Sequence, residues 1–317
     1  MAVSTLLRMT DRGAIYQHPL AFLLGMEGIA LLRAWAGDFD EQFVHDRLAE
    51  VRRLLDDPSL NGPGIQVRRG DVETGYRQWA DGYDQHLHFD EDFGGGMFGS
   101  AETEIRNILE GRPAGTALDA ACGTGRVAQY LHRLGHQVIG VDRSPEMLAL
   151  ARAHLPTADF RPGTLDRLPL PDASVDVTVC TLALCHVPDL RPVMAEFARL
   201  LRPGGDLLIS DIHAELVFRG SVVPALGPHG EPGLIATYRH QPGDYLRAAL
   251  AAGLQVRRCE EQGASPEVDP APVPEPTTDP GPWSDWPWSL ADLIPAATRA
   301  GWHTPSTIVW HFQRAAG

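Results

Sequence analysis

The stretch Leu118-Asp119-Ala120-Ala121-Cys122-Gly123-Thr124-Gly125-Arg126 decides the fold. Ala117–Ala121 reads as a short apolar strand and Gly125–Leu134 as a helix. Two glycines at their junction let a ligand approach the backbone closely, beside a helix N-terminus. Taken alone, Gly123 to Ala128 also fits the G-x-G-x-x-A pattern of dinucleotide sites. Asp119 argues against a dinucleotide. A pyrophosphate is anionic, and a carboxylate four residues before the first glycine is a poor neighbour for it. A ligand carrying an ammonium and a sulfonium, S-adenosylmethionine, suits that charge. Asp119 can also be read as a strand-end cap or turn former.

Outward from this junction, strand and helix alternate. Gln137–Asp142 is the next strand. Asp142 at its tip can accept hydrogen bonds from both hydroxyls of a ribose, which fits either adenosine ligand. Ser144-Pro145-Glu146 opens a helix, with Ser as N-cap and Pro at the first helical position. Ala158–Pro162 is a third strand and Val175–Leu184 a buried fourth. Asp189 caps a helix to Leu201, which stops at Pro203-Gly204-Gly205. Asp206–Asp211 is a fifth strand. This βαβα series implies a parallel sheet with helices on both faces. Gly243–Ala252 reads as a helix, Leu254–Glu261 as a strand and Thr307–Gln313 as a last strand.

The segments L-D-A-A-C-G-T-G-R (118–126), V-I-G-V-D-R-S-P-E-M-L (138–148) and L-P-L-P-D-A-S-V-D-V (168–177) stand in order in the chain. They are followed by L-A-L-C-H-V-P-D-L (182–190) and F-A-R-L-L-R-P-G-G-D-L-L-I-S-D (197–211). From about residue 76 to 262 the chain resembles the class I S-adenosylmethionine-dependent methyltransferases, in their small-molecule branch. The resemblance implies a doubly wound, seven-stranded Rossmann-like α/β sheet with an antiparallel last strand. It implies that Asp119, Ala121, Gly123, Thr124 and Gly125 line the methionine part of the cofactor. Asp142 would hold the ribose, with Arg143 and Met147 against the adenine. Thr164 and Leu165 fall at the adenine edge, where the family usually has an acidic residue in place of Thr164; Asp166 is a substitute. Thr181 and Leu182 should face the cofactor. Tyr76 and Tyr83 resemble aromatic residues that cover its methionine end, or are ordinary helix-packing aromatics.

Methyl transfer is an in-line displacement that needs a close, aligned nucleophile and exclusion of water. His186, after the fourth strand, is the first candidate base, and His213, after the fifth, the second. Each can instead be a loop residue packing near the cofactor. Asp211 could orient His213 if the strand continues past it. His86, His88 and His240 are weaker candidates. No paired ligand spacing indicates a metal. The acceptor pocket is expected from Tyr76–Phe98 and Glu215–His240. Trp283, Trp286 and Trp288 are either an aromatic wall for it or satellite core.

The formal charge of −14, without a basic patch, speaks against nucleic acid and anionic membranes. Four dispersed cysteines without a CxxC pair suit a reducing cytoplasm. No signal peptide is visible, and the apolar stretch from Leu20 to Ala36 is interrupted by Glu27 and Arg33. Residues 1–70 read as a helical region, with Asp38 and Glu41 as a helix start and Phe43–Leu55 periodic except for Arg47. Its apolar faces suggest a homodimer or a lid. Residues 71–317 would then form the catalytic domain, interrupted by a Pro- and Trp-rich insertion at 262–305. The expected function is transfer of a methyl group to a small, apolar or aromatic acceptor, with biosynthesis as its setting. The alternatives are an NAD-dependent oxidoreductase and a non-catalytic S-adenosylmethionine-binding protein.

Overall fold

The computed structural model describes residues 14–70, 72–79, 99–220, 224–227, 229–263, 272–302 and 304–316. The chain divides into two compact units. One comprises 1–75, 219–236 and 265–303, and the other 76–218, 237–264 and 304–317. The strands are β1 (Ala14–Gln17), β2 (Ile65–Gly70), β3 (Thr116–Ala120), β4 (Gln137–Asp142), β5 (Asp159–Pro162) and β6 (Val175–Thr181). They continue with β7 (Leu201–Ile212), β8 (Pro224–Leu226), β9 (Pro232–Ile235), β10 (Leu254–Gln262) and β11 (Thr307–Arg314).

The larger unit holds a seven-stranded sheet in the order β10-β11-β7-β6-β3-β4-β5. β3 pairs in parallel with both β4 and β6, and β6 in parallel with β7. β11 is antiparallel to both of its neighbours. This is the expected doubly wound sheet with an antiparallel last strand. Burial on both faces follows the two-residue period of the strand. In β11, Ile308, Trp310 and Phe312 enter one core and Val309 the other. In β7, Leu207 and Ile209 share a core opposite to that of Leu208.

The fourth strand is shorter than expected and stops at Thr181. Leu182 takes a left-handed backbone (φ 53), which ends an extended run, and Leu184–His186 forms a single 3₁₀ turn. The chain leaves β3 for β4 on one side and returns to β6 on the other. The carboxyl ends of β3 and β6 therefore flank a topological switch point, the usual ligand crevice of such sheets.

The smaller unit adds strands to the helical region expected at 1–70. Two helices, Pro19–Trp35 and Glu41–Asp56, are present, but β1 and β2 flank them. These strands join β9 and β8 in a four-stranded sheet of order β1-β2-β9-β8. The 262–305 insertion carries helices of its own. Its helices Trp288–Ala291 and Pro295–Trp302 supply Leu290, Leu293, Ile294, Ala297 and Ala300 to a core shared with Leu23, Met26, Ala30, Leu54 and Leu60. Trp283 packs with Val67 and Leu234, and its Nε1 donates to Gln17 Oε1 at 2.7 Å. Trp286 Nε1 donates to the Pro280 carbonyl at 3.0 Å, whereas Trp288 is half exposed. Trp283 and Trp286 are thus satellite core of this unit.

The second helix starts later than expected. Asp40, not Asp38, is its N-cap and accepts from the Phe43 N–H at 2.9 Å. Asp38 is engaged by Arg33 at 2.7 Å. Arg47, the polar exception to the apolar period, reaches inward and donates to Glu27 Oε1 at 2.9 Å. Glu27 is fully buried, and its second oxygen has no partner among the described residues. Burial outweighs the attraction of Arg47 and pushes the Glu27 carboxyl up to about 7.

Because that folded value lies above the unfolded one, the contribution of Glu27 to stability is present at acid pH and is lost as pH rises through about 7. Glu27→Gln is therefore expected to flatten the decline of stability between pH 5 and 8, by up to about 3 kcal/mol. Urea unfolding at a series of pH values measures it. Equal slopes in variant and wild type would reject this role for Glu27.

Candidate active site

The junction after β3 is built by hydrogen bonds that its own residue types supply. The Cys122 N–H donates to the Val141 carbonyl at 3.0 Å, and the Gly125 N–H to the Cys122 carbonyl at 2.8 Å. Gly123 and Gly125 both take positive φ, 52° and 83°. They serve different ends. A side chain at Gly125 would stand 3.1 Å from Ala151 of the helix Pro145–His154, so this glycine permits helix packing. A side chain at Gly123 would meet nothing within 4 Å. The open position beside the loop backbone is thus at Gly123. Ala121 (φ 60) and Leu182 (φ 53) lie just past the ends of β3 and β6 and are left-handed without being glycine. Such strain is held only where surrounding structure enforces it, and it concentrates at ligand sites.

Asp142 binds two parts of the crevice together. Its Oδ2 accepts from the Gly123 N–H and its Oδ1 from the Ser144 N–H, both at 2.9 Å. Each carboxylate oxygen has further lone-pair capacity for ribose hydroxyls. Burial raises the Asp142 carboxyl above its ordinary range, and the backbone donors oppose that rise. Ser144 caps its helix as expected, accepting from the Met147 N–H at 3.2 Å. Met147 is buried and Arg143 exposed. Thr164 and Arg167 bracket a tight turn, with Leu165 and the exposed Asp166 at its centre; Thr164 is exposed and Leu165 packs against the core.

Asp119 is 1% exposed, and its Oδ2 accepts from the Ala128 N–H in the first turn of the helix Arg126–Arg133 at 2.8 Å. Gly125, the N-cap of that helix, offers no side chain, and Asp119 supplies the missing acceptor from the strand. Of the two readings of Asp119, the brace is the one this hydrogen bond expresses. Desolvation pushes its carboxyl up to about 7, and the nearby Asp142 adds to the rise. A bound cation would feel Asp119 as a field rather than as an exposed contact.

At the carboxyl end of β6, His186 Nε2 lies 2.8 Å from the hydroxyl of Tyr76, which stands on the helix Val72–Trp79. The two rings meet edge to face, with centroids 5.4 Å apart. Both residues are half buried. Thr181 and Leu182, equally half buried, complete this edge, and the Leu182 N–H donates to the Ser210 carbonyl at 2.8 Å. Sequence reasoning treated Tyr76 as a cover and His186 as a base without pairing them. Tyr83, His86 and His88 lie outside the described residues.

Residues 118–209 match a family model described as a methyltransferase domain. With the sheet order and this junction, that match decides what residues 118–209 are. They form a methyltransferase domain of the class I fold. A malonyl-[acyl-carrier protein] O-methyltransferase of Yersinia pestis is 30% identical over 150 residues, 47% of this chain and 53% of that protein. A demethylmenaquinone methyltransferase of Chlorobaculum tepidum is 39% identical over 106 residues, 33% of this chain and 44% of the relative. The chain thus spans about half the length of these relatives or less. The crystal structure of an S-adenosylmethionine-dependent methyltransferase from Mesorhizobium loti shares the fold. It has a TM-score of 0.50 at 21% identity, over 69% of this chain and all of the other.

Just past the matched methyltransferase domain, the second candidate base is otherwise engaged. His213 is buried; its Nδ1 accepts from the Glu215 N–H at 3.1 Å and its Nε2–H donates to Glu261 Oε1 at 2.8 Å. Both ring nitrogens are taken, so in this arrangement His213 braces β7 to β10 and the helix Ala214–Phe218. His240 Nε2–H donates to the Val187 carbonyl at 2.7 Å. Asp211 does not orient His213. The strand ends at Ile212 and the chain turns into a helix, so alternation does not carry to residue 213. Among the described residues, no cluster of three or more His, Cys, Asp or Glu is placed to hold a metal ion, and no helix is long and apolar enough to cross a membrane.

Proposed function

We propose that this chain transfers a methyl group from S-adenosylmethionine to a small acceptor that must lose a proton, such as a phenol, an enol or another acidic carbon or oxygen group. The observation that carries the proposal is the Tyr76–His186 pair at the end of β6, beside the switch point. The loop from Ala121 to Gly125, Asp142, Met147 and the turn at Thr164–Leu165 are the proposed cofactor contacts, with Thr181 and Leu182 beside them. Asp142 would take the ribose hydroxyls, and the open backbone at Gly123 would lie against the methionine part.

Bound S-adenosylmethionine supplies the electrophilic methyl group. An in-line displacement then requires the acceptor's nucleophilic atom on the far side of that methyl, deprotonated or losing its proton as the bond forms. His186 Nε2 is the proposed proton acceptor. The hydroxyl that Tyr76 presents to Nε2 marks where an acidic acceptor hydroxyl would stand when Tyr76 moves aside. A neutral amine acceptor would need no such base, so the pair favours an oxygen or carbon acid.

The test is incubation with methyl-labelled S-adenosylmethionine and pools of phenolic, enolic and amine metabolites, followed by mass analysis of labelled products. Label on an oxygen or carbon acid is the expected result. Label on amines alone would overturn the proton-acceptor reading. The absence of transfer to any pool would favour a non-catalytic binding protein.

A further inference from the structure

We infer that the acceptor carries a carboxylate group and that Arg239 is the residue that binds it. This deepens the proposed function and rests on its placement of the acceptor beside His186. Arg239 stands opposite that histidine. The Tyr238 N–H donates to the Cys185 carbonyl at 2.6 Å, and His240 Nε2–H donates to the Val187 carbonyl at 2.7 Å. The residues on either side of Arg239 are therefore bonded to the residues on either side of His186. The rings of Tyr238 and His240 stack with centroids 6.3 Å apart, and Arg239 reaches from between them to the helix Ala214–Phe218. That helix follows β7, the neighbour of β6 in the sheet. Imidazole and guanidinium thus belong to one edge, where two adjacent strands end.

The guanidinium is held on two sides and open on a third. Its Nε donates to the Ala214 carbonyl at 3.2 Å, and its central carbon lies over the Phe218 ring, 4.6 Å from the centroid. Among the described residues its Nη groups make no hydrogen bond; Glu215 Oε1 is 3.7 Å from Nη2, too far for one. The side chains of Arg239 and Glu215 are 41% and 39% exposed, and so long and wet an ion pair contributes little. An incoming anion displaces it at small cost. The two Nη groups form the planar fork that takes a carboxylate through two parallel hydrogen bonds. Phe218 is 61% exposed, and an open ring beside the fork suits the flat body of a phenolic or enolic acid. Such an acceptor, with its acidic hydroxyl at His186 and its carboxylate at Arg239, is held at both ends. Two-point holding is what aligns a nucleophile for an in-line displacement.

The experiment is calorimetric titration of the full chain, saturated with S-adenosylhomocysteine, with para-hydroxybenzoate and with para-hydroxybenzamide. The two probes differ only in the charged group. Wild type is expected to bind the acid on the order of tenfold more tightly than the amide, and Arg239→Gln is expected to lose that preference. Equal binding of the two probes by wild type, failure of both to bind, or a preference that survives Arg239→Gln overturns the inference. Glu215→Gln supplies a gain that misfolding does not mimic. Removing the competing carboxylate should tighten binding of the acid by about twofold to fivefold and leave the amide unchanged. Should Arg239→Gln not fold, this variant decides, and an unchanged affinity for the acid overturns the inference. The titration requires no methyl transfer. A carboxylate preference that depends on Arg239, found together with label on amines alone, would refute the proton acceptor and leave this site standing. Transfer to phenols by a chain without that preference would do the reverse.

Discussion

His186→Ala is expected to lower turnover by a factor on the order of 10²–10⁴ while leaving the affinity for S-adenosylhomocysteine nearly intact. The expectation follows from position. His186 stands in the turn after β6, and its Nε2 is aimed at a hydroxyl 2.8 Å away rather than at the backbone. Removing the ring removes the proposed proton acceptor, while the Gly123 loop is held by bonds to Val141, Cys122 and Asp142. In wild type, kcat/KM should fall on the acid side of the histidine's titration, because the imidazolium cannot accept a proton, and this limb should vanish in the variant. Tyr76→Phe separates the two partners. It deletes the hydroxyl and keeps the ring, so a base acting alone should survive it with a modest loss. If the histidine only packs near the cofactor, His186→Ala should instead weaken cofactor binding and leave the pH profile unaltered.

The second large effect is expected at Asp142. Asp142→Ala should weaken S-adenosylhomocysteine binding by about 1–3 kcal/mol, since a charged acceptor for two ribose hydroxyls is lost. The carboxylate also takes the N–H groups of Gly123 and Ser144, so its removal loosens the loop as well. A ribose-deoxygenated analogue of the ligand separates these contributions. Wild type should prefer the parent ligand over the analogue, and Asp142→Ala should not, because the group that reads the hydroxyls is gone. An undiminished preference in the variant would place the ribose elsewhere.

The catalytic sheet was legible because its signals are local. A strand, a glycine turn and a helix N-terminus occupy one short stretch around Gly123, and Ser144-Pro145 announces the next helix by its capping chemistry alone. The smaller unit was not legible for the opposite reason. β2 carries only one buried side chain, Val67, and it pairs with β9, which lies far along the chain. Neither strand has a pattern strong enough to betray that partner. The helices of the 262–305 insertion are short and follow a proline-rich run, and their apolar residues gain meaning only against the helix Pro19–Trp35.

In the site, pairings between side chains were not legible in the sequence. Asp211 and His213 stand two residues apart and looked like a couple, yet the end of β7 sends His213 to Glu261 and leaves Asp211 to accept from the Tyr245 hydroxyl. The bond between Asp119 and the Ala128 N–H was open to the same kind of surprise. A carboxylate at a strand end can serve a ligand or a helix, and in the folded chain this one accepts from the Ala128 N–H.

The most direct test of the central claim is calorimetric titration of the full chain with S-adenosylhomocysteine and, separately, with NAD. Saturable binding of S-adenosylhomocysteine, one per chain, with no response to NAD is the predicted result. Binding of NAD by a folded chain that does not respond to S-adenosylhomocysteine would contradict the account.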